Sequence, residues 1–198
     1  IRPRIKAGKN LMSRLFSALT IHKVFNKRIP EEICYVRVGW GCNNRRSFCA
    51  VWKAVGKLKS KPIDACVLEF KKGLEQRYRK FNLLAENVGA YGLDIGETLP
   101  GLLKELVKIR GDYSISISEF DPEWLIKYQK KLEELVETKR IESILSAIQS
   151  GNNRVLKLMN RKGKIGEIEK ALMGLKKHYP ELRLETQLMV GFPTETEQ

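Results

Sequence analysis

The sequence predicts an α/β fold in which a parallel sheet curves into a partial, open β/α barrel. From Cys34 onward, short apolar stretches typical of strands alternate with longer amphipathic stretches typical of helices. Strand candidates begin roughly every 30–50 residues, a repeat compatible with a β/α barrel. Five of them stand where a closed barrel has eight, so we expect an open sheet that is truncated after about five strands.

The elements follow one another in a regular order. The strand candidates are Cys34–Gly39, Phe81–Ala85, Tyr113–Ser118, Ser143–Ile148 and Leu182–Val190. The helix candidates are Ile63–Gln76, Leu99–Ile109, Pro122–Glu137 and Ile165–His178. Asp121 before Pro122 indicates a helix start, because aspartate accepts hydrogen bonds from free amides and proline fits the first turn. Pro62 and Pro100 also lie near predicted helix starts. Strands that alternate with helices imply parallel pairing through right-handed crossovers.

Composition and charge limit the class of protein. Hydrophobic residues make up 42% of the 198 residues and charged residues 30%, as in soluble globular proteins. No apolar run approaches the roughly 18 residues that a membrane span needs, so we expect no membrane partner. The net charge is +14, and no acidic residue precedes Glu31. Residues 1–30 are therefore predicted to be a basic arm or linker, and residues 31–198 a core domain that is incomplete at its C-terminal end. Such an arm could bind a phosphate backbone. The same composition fits equally well a solvated linker or the edge of another domain.

The four cysteines indicate a reducing compartment, so we expect a cytoplasmic protein. His22 and His178 are far apart in sequence and do not predict a His-rich metal site. Cys34 is expected to point into the sheet and Cys66 into a helix face, both as buried apolar side chains.

Residues 41–49 contain an incomplete cysteine motif, Gly-Cys-Asn-Asn-Arg-Arg-Ser-Phe-Cys. A cysteine at the position of Arg46 would complete the spacing C-x3-C-x2-C with Cys42 and Cys49. Three thiolates at that spacing can hold three irons of a four-iron, four-sulfur (4Fe-4S) cluster and leave the fourth iron open. A guanidinium cannot be deprotonated and cannot replace a thiolate. We therefore expect a cluster here to be unstable, incomplete or absent.

Polar residues and glycines follow every predicted strand. They are Cys42, then Glu86 and Asn87, Ser118 and Glu119, Gln149 to Gly151, and Gly191 to Pro193. In parallel sheets, active-site residues lie at the carboxyl ends of the strands, so five such loops on one edge predict a functional site. The alternative is that these loops contain polar residues and glycines simply because loops usually do. Nucleotide-binding motifs are weak, because Gly39 and Gly41 lack a third glycine and Gly56-Lys57 lacks the following Ser or Thr.

On these motifs the chain resembles the catalytic core of the radical S-adenosylmethionine (SAM) enzymes, and among them the methylthiotransferases. The matching stretches run in order at 35–42, 47–49, 56–62, 85–94, 149–161 and 190–197. The last two select the methylthiotransferase branch, whereas residues 1–30 show no such match. Gln187, Thr194 and Arg46 depart from the family's pattern.

The resemblance implies a role for each matching residue. Cys42 and Cys49 would ligate the cluster, whose open iron takes SAM, and Phe48 would pack near the adenine. Glu86 and Asn87 would contact the methionine end of SAM, where a carboxylate can accept hydrogen bonds from the ammonium group.

Four further residues are implied in the same cleft. Ser118 and Gln149 would bind ribose or carboxylate oxygens, Arg161 the SAM carboxylate or a substrate phosphate, and Gly191 would let backbone approach the adenine. Taken singly, each also fits an ordinary rim charge, a helix cap or a turn.

The implied parent function is transfer of a methylthio group to carbon 2 of a modified adenosine in tRNA through a 5′-deoxyadenosyl radical. A reductant such as flavodoxin or ferredoxin would supply the electron, and no DNA partner is expected. Flanking domains, one with a second cluster and one an RNA-binding barrel, would complete the enzyme. Three alternatives stay open: a ribosomal-protein substrate, a non-catalytic RNA-binding relative that lost the cluster, and a SAM-binding β/α domain with another chemistry.

Overall fold

The computed structural model describes residues 32–196, so the basic arm at 1–30 lies outside the described residues. Five parallel strands form one sheet in chain order. They are β1 (Ile33–Arg37), β4 (Lys80–Leu84), β5 (Ser114–Ile117), β6 (Ile141–Leu145) and β7 (Arg183–Glu185). The parallel sheet is as predicted, and the carboxyl ends of its strands share one edge, the carboxyl rim.

Six helices connect or follow the strands in the described range. They are α1 (Val51–Val55), α2 (Ile63–Glu75), α3 (Leu99–Val107), α4 (Pro122–Val136), α5 (Asn153–Leu158) and α6 (Ile165–His178). All four predicted helices are confirmed, and α6 has the predicted bounds. Asp121 caps α4 by accepting a 3.2 Å hydrogen bond from the Glu123 amide. Pro62 precedes α2 and Pro100 lies in the first turn of α3, as expected.

The sequence did not predict the shortest elements. These are α1, α5 and an antiparallel ribbon formed by β2 (Gly39–Trp40) and β3 (Lys59–Ser60). A strand of two residues or a helix of five is too short to show a hydrophobic period. One residue separates β1 from the ribbon. Because β2 ends at Trp40, directly before Gly41, the ribbon fixes the start of the cysteine loop.

The last two strands differ from the prediction. The sixth strand begins at Ile141 instead of Ser143 and ends at Leu145, and the seventh covers three residues instead of Leu182–Val190. The early ends of both strands are explained by the Thr186 hydroxyl, which donates to the Ser146 carbonyl at 2.7 Å and accepts from the Ile148 amide at 3.1 Å. These bonds replace backbone pairing and interrupt the ladder between β6 and β7.

The hydrophobic core joins the sheet to the helices. Phe70 of α2 stacks on Phe81 of β4 with ring centroids 3.9 Å apart, and Tyr113 packs edge-on against Phe70. Cys66 is fully buried on α2, as expected, and Cys34 is half-buried on β1. In the range that the structure describes, no helix is both long and apolar enough to cross a membrane.

Candidate functional site

The cysteine loop begins at a glycine that the backbone requires. Gly41 has φ +77°, and a Cβ there would lie 2.0 Å from the Lys57 carbonyl oxygen. The next amide, of Cys42, donates to the Gly56 carbonyl at 3.0 Å. The loop is thus held against the turn at 56–57, which fixes the direction in which it leaves the ribbon.

The second half of the loop is tied to the end of α5. The Ser47 amide donates to the Met159 carbonyl at 3.1 Å, and the Ser47 hydroxyl donates to the Leu158 carbonyl at 2.9 Å. Asn160 donates from Nδ2 to the Arg45 carbonyl at 2.8 Å. These bonds bring the cysteine loop beside Arg161, which is more than 100 positions further along the chain.

Several predicted residues line one cavity of about 350 Å³ at the carboxyl rim. Its polar and ionisable lining consists of Arg37, Cys42, Arg46, Cys49, Glu86 and Glu119. Burial raises the pKa of the Cys42 thiol, while the Asn44 backbone and Arg46 act in the opposite direction. The structure therefore brings together the two cysteines, Arg46 and Glu86, as the sequence predicted.

Asp121 is the centre of a charged network behind this cavity. Its Oδ2 lies 3.3 Å from Nε of Arg46 and 3.0 Å from Nη1 of Arg161, and it accepts a 2.9 Å hydrogen bond from Asn44 Nδ2. The Arg161 side chain is 1% exposed, and its Cζ lies 6.0 Å from the centre of the Phe48 ring. Burial lowers the pKa of Arg161, and Asp121 opposes that shift. One buried carboxylate is thus shared by two guanidinium groups.

Buried polar atoms without partners surround the cavity. Glu86 pairs through Oε1 with Arg37 Nη1 at 3.2 Å, whereas its buried Oε2 has no hydrogen-bond partner among the described residues. The same holds for Oδ1 of Asn87, a residue that is 1% exposed. Buried polar groups are normally satisfied, so these atoms indicate a missing ligand.

Six predicted residues do not line the cavity: Phe48, Asn87 and Arg161, described above, and Ser118, Gln149 and Gly191. Ser118 donates to Asn82 Oδ1 at 3.0 Å. Gln149 is buried and its backbone, at φ +74°, pairs with Gln187 and Met189. Gly191 has φ +77°, and a Cβ added there would meet no atom of the described residues within 4 Å. Ser118 directly follows β5, whereas Gln149 and Gly191 lie in the segments that follow β6 and β7.

The backbone of Thr194 explains why the family usually has glycine at this position. Its φ is +70°, in the left-handed region where glycine is favoured and a β-branched residue is strained. Arg154 holds the residue by donating to its hydroxyl at 3.0 Å and to its carbonyl at 2.6 Å. The glycine expected at this position would adopt the same backbone without strain.

Sequence reasoning missed three contributors to the site. Arg37 pairs with Glu86, Asn44 binds Asp121, and Asp121 itself was recognised only as a helix cap. One signal was available for Asp121, because it follows Ser118 and Glu119 at the end of a predicted strand. Arg37 and Asn44 carry no comparable signal, since their partners lie 49 and 77 positions away.

The residues present do not fit a complete 4Fe-4S cluster, but they fit the amino-acid end of SAM. Arg46 occupies the third ligand position and is paired with Asp121. Within residues 32–196, no group of three His, Cys, Asp or Glu side chains is arranged to hold a metal. The unpaired oxygens of Glu86 and Asn87, in contrast, suit an ammonium group.

Comparison with known proteins identifies relatives by sequence. The family model of the radical SAM superfamily matches residues 36–198. The chain is 34% identical over 176 residues to a probable threonylcarbamoyladenosine tRNA methylthiotransferase from Pyrococcus abyssi, covering 88% of this chain and 41% of that protein. It is 32% identical over 197 residues to the ribosomal protein uS12 methylthiotransferase RimO from Clostridioides difficile, covering 93% and 43%. The chain therefore spans less than half the length of these curated relatives.

Solved structures agree on the fold. The radical SAM methyltransferase TsrM from Kitasatospora setae, solved with cobalamin and a 4Fe-4S cluster bound, superposes with a TM-score of 0.69 at 15% identity. The match covers 83% of this chain and 32% of that one. At this identity the likeness concerns the fold, which is that of a radical SAM barrel.

Proposed function

We propose that this chain, which belongs to the radical SAM superfamily, is the SAM-binding core of a methylthiotransferase that acts on tRNA. The observation that carries this proposal is the pair of unpaired buried oxygens, on Glu86 and Asn87, next to the cavity that holds Cys42, Cys49 and Arg46. Residues 31–198 form the core domain in this proposal, and residues 1–30 a basic arm. The cytoplasmic location and a flavodoxin or ferredoxin as reductant stay predictions.

Each predicted residue has a binding role in this proposal. Glu86 accepts hydrogen bonds from the SAM ammonium through Oε2, and Asn87 accepts another through Oδ1. Phe48 offers its ring to the adenine. The remaining predicted contacts, to ribose, carboxylate and adenine, are Ser118, Gln149, Arg161 and Gly191. Bound SAM would supply the methyl group and the 5′-deoxyadenosyl group of the family's chemistry.

Arg46 decides what this chain can do with SAM. Its guanidinium supplies no bond to iron, and two thiolates leave a four-iron cluster short of one ligand. We therefore propose that the chain as it stands does not cleave SAM reductively with the efficiency of its relatives. The ion pair with Asp121 supports this, because it gives Arg46 a stable position in the cluster-free protein.

A basic surface on one side of the cavity favours RNA over a protein substrate. No acidic residue stands between Glu32 and Asp64 in the sequence. From elsewhere in the chain, Glu69 pairs with Lys61 and Asp94 accepts from the Ser60 amide. We name as the ribbon surface the following residues of β2, β3, α1 and their turns: Trp40, Trp52, Lys53, Lys57, Lys59 and Lys61. Trp40 is 49% exposed, with Lys61 Nζ 5.7 Å from its ring centre, and Lys53 Nζ lies 5.5 Å from that of Trp52. Cations interleaved with aromatic rings suit phosphates and unstacked bases.

Reconstitution with iron and sulfide under anaerobic conditions tests the role of Arg46. We expect the unchanged chain to bind fewer than four irons per chain and to give no EPR signal of a reduced 4Fe-4S cluster. Arg46→Cys restores the third thiolate, so it should bind about four irons and give that signal. Iron and sulfide analysis with EPR spectroscopy measures both.

Arg45→Cys is the matched control, because it adds a cysteine one position away from the predicted ligand site. It should behave like the unchanged chain. A complete four-iron cluster in the unchanged chain would overturn the proposal. So would a folded Arg46→Cys variant that assembles no more cluster than Arg45→Cys.

A further inference from the structure

The cavity has opposite charges on its two sides. Arg46 faces it from the cysteine loop, and Glu86 and Glu119 face it from the ends of β4 and β5. We propose that Arg46 binds the α-carboxylate of SAM in place of the open iron, so that this site takes SAM without a cluster. This inference rests on the proposed function and deepens it.

Arg46 is positioned to bind an anion in the cavity. Its side chain is 14% exposed, and its Nε is directed to Asp121 at 3.3 Å. The two terminal nitrogens donate no hydrogen bond within the described part of the chain, and they are not among the fully buried unpaired atoms. A guanidinium that is ion-paired on its Nε side and has no partner among the described residues at either Nη atom presents two parallel donors, the geometry that matches a carboxylate.

Arg46, Arg161 and Asp121 together carry one excess positive charge. Asp121 provides one negative charge to two cations, Arg46 and Arg161, and all three side chains are at most 14% exposed. Buried charges are stable when they are paired, so the excess positive charge favours an incoming carboxylate. Burial and Arg46 lower the pKa of Arg161, and Asp121 opposes them, in agreement with this excess of positive charge.

The opposite side of the cavity suits an ammonium group. Arg37 Nη1 donates to Oε1 of Glu86 at 3.2 Å, and Oε2 has no hydrogen-bond partner among the described residues. Glu119, an exposed residue, adds a second carboxylate to this side. A zwitterionic amino-acid group satisfies both sides at once. An RNA phosphate would pair with Arg46, but it would leave Oε2 of Glu86 without a donor and be repelled by Glu119.

Binding of SAM to the iron-free chain tests this role. The chain is treated with a chelator and titrated with SAM by isothermal titration calorimetry, and its melting temperature is recorded for every variant. Loss of an ion-paired hydrogen bond should make Arg46→Gln bind SAM on the order of tenfold more weakly. Arg46→Lys keeps the charge and should bind with intermediate affinity. Arg45→Gln changes the neighbouring residue, outside the cavity lining, and should bind as the unchanged chain does.

A second ligand separates carboxylate recognition from a general effect on the fold. Decarboxylated SAM lacks the group that Arg46 is proposed to bind, so Arg46→Gln and the unchanged chain should bind it equally. Equal losses for both ligands would overturn the inference, as would failure of the iron-free chain to bind SAM while reconstituted Arg46→Cys does. If neither protein binds SAM, the proposed function itself fails.

Discussion

Asp121 connects two parts of the molecule through its two carboxylate oxygens. Oδ1 accepts from the Glu123 amide and caps α4, while Oδ2 receives Asn44 and both guanidiniums, of Arg46 and Arg161. The aspartate is 5% exposed, so its charge is poorly screened by water. A single side chain thus sets where the cysteine loop lies relative to the start of a long helix.

We expect Asp121→Asn to destabilise the fold strongly. The amide keeps an oxygen that can cap α4, but it removes the charge that compensates the buried Arg161. Leaving a buried cation without its partner costs about 3 kcal/mol. The free energy of unfolding in urea measures this loss.

Two variants serve as controls for this prediction. Glu123→Gln breaks an ion pair with Lys162, whose side chain is 74% exposed, and should cost less than about 1 kcal/mol. Adding Arg161→Met to Asp121→Asn removes the uncompensated cation and should recover part of the stability. Equal losses for Asp121→Asn and Glu123→Gln would contradict the buried-charge argument.

The position of α2 against the sheet depends on a close approach of the helix backbone. At Gly73 a Cβ would lie 2.6 Å from Cε1 of Phe81 and 2.9 Å from Sγ of Cys34. Phe81 is buried and stacked on Phe70, so it has little room to move. The helix therefore packs on β1 and β4, the strands that lead to the ribbon and to Glu86.

Replacing two helical glycines by alanine should have opposite effects. Gly73→Ala forces the helix away from the sheet and should cost about 1–3 kcal/mol. At Gly166 in α6 a Cβ meets no atom of the described residues within 4 Å, so Gly166→Ala should gain about 0.5 kcal/mol from its better helix propensity. Urea unfolding of both variants measures the difference, and a similar sign for both would contradict it.

The charge of the whole molecule is distributed unevenly around the cavity. The chain carries a net charge of +14, and the stretch between Glu32 and Asp64 contributes only basic ionised side chains. The ribbon surface lies in this stretch, next to the turn at 56–57 that holds the cysteine loop. A phosphate backbone bound there would lie close to the proposed SAM site, as the proposed modification of an RNA base requires.

We expect the ribbon surface to dominate binding of bulk tRNA. The triple variant Lys53→Gln, Lys57→Gln and Lys59→Gln should bind tRNA roughly tenfold more weakly. Its affinity should also depend less on salt, because each phosphate contact contributes about 0.9 to the slope of log affinity against log salt concentration. Filter binding over a series of salt concentrations measures both quantities.

The matched control removes the same charge from α2 and α3. Lys71→Gln, Lys72→Gln and Lys104→Gln are exposed positions away from the ribbon surface. This triple variant should leave the affinity nearly unchanged. Equal weakening by both triples would show that net charge alone attracts the RNA, and would remove this support for an RNA substrate.

The sequence by itself determined the alternation of strands and helices, the parallel sheet and the family. These features are local, because neighbouring residues set the hydrophobic period of Ile165–His178 and the cap that Asp121 forms with the Glu123 amide. Even the missing ligand at Arg46 was visible, since ligand spacing within one loop is a property of the sequence.

Only the tertiary structure decided which polar groups meet at the carboxyl rim and which remain unpaired. Arg46, Asp121 and Arg161 come from three separate loops, and the short ribbon and α5 that position them have no period to read. Thr186 likewise ends β7 through side-chain bonds that propensity does not encode. Long-range contacts depend on how the crossovers place the loops, and so they set the charge pattern around Arg46 on which its proposed binding role rests.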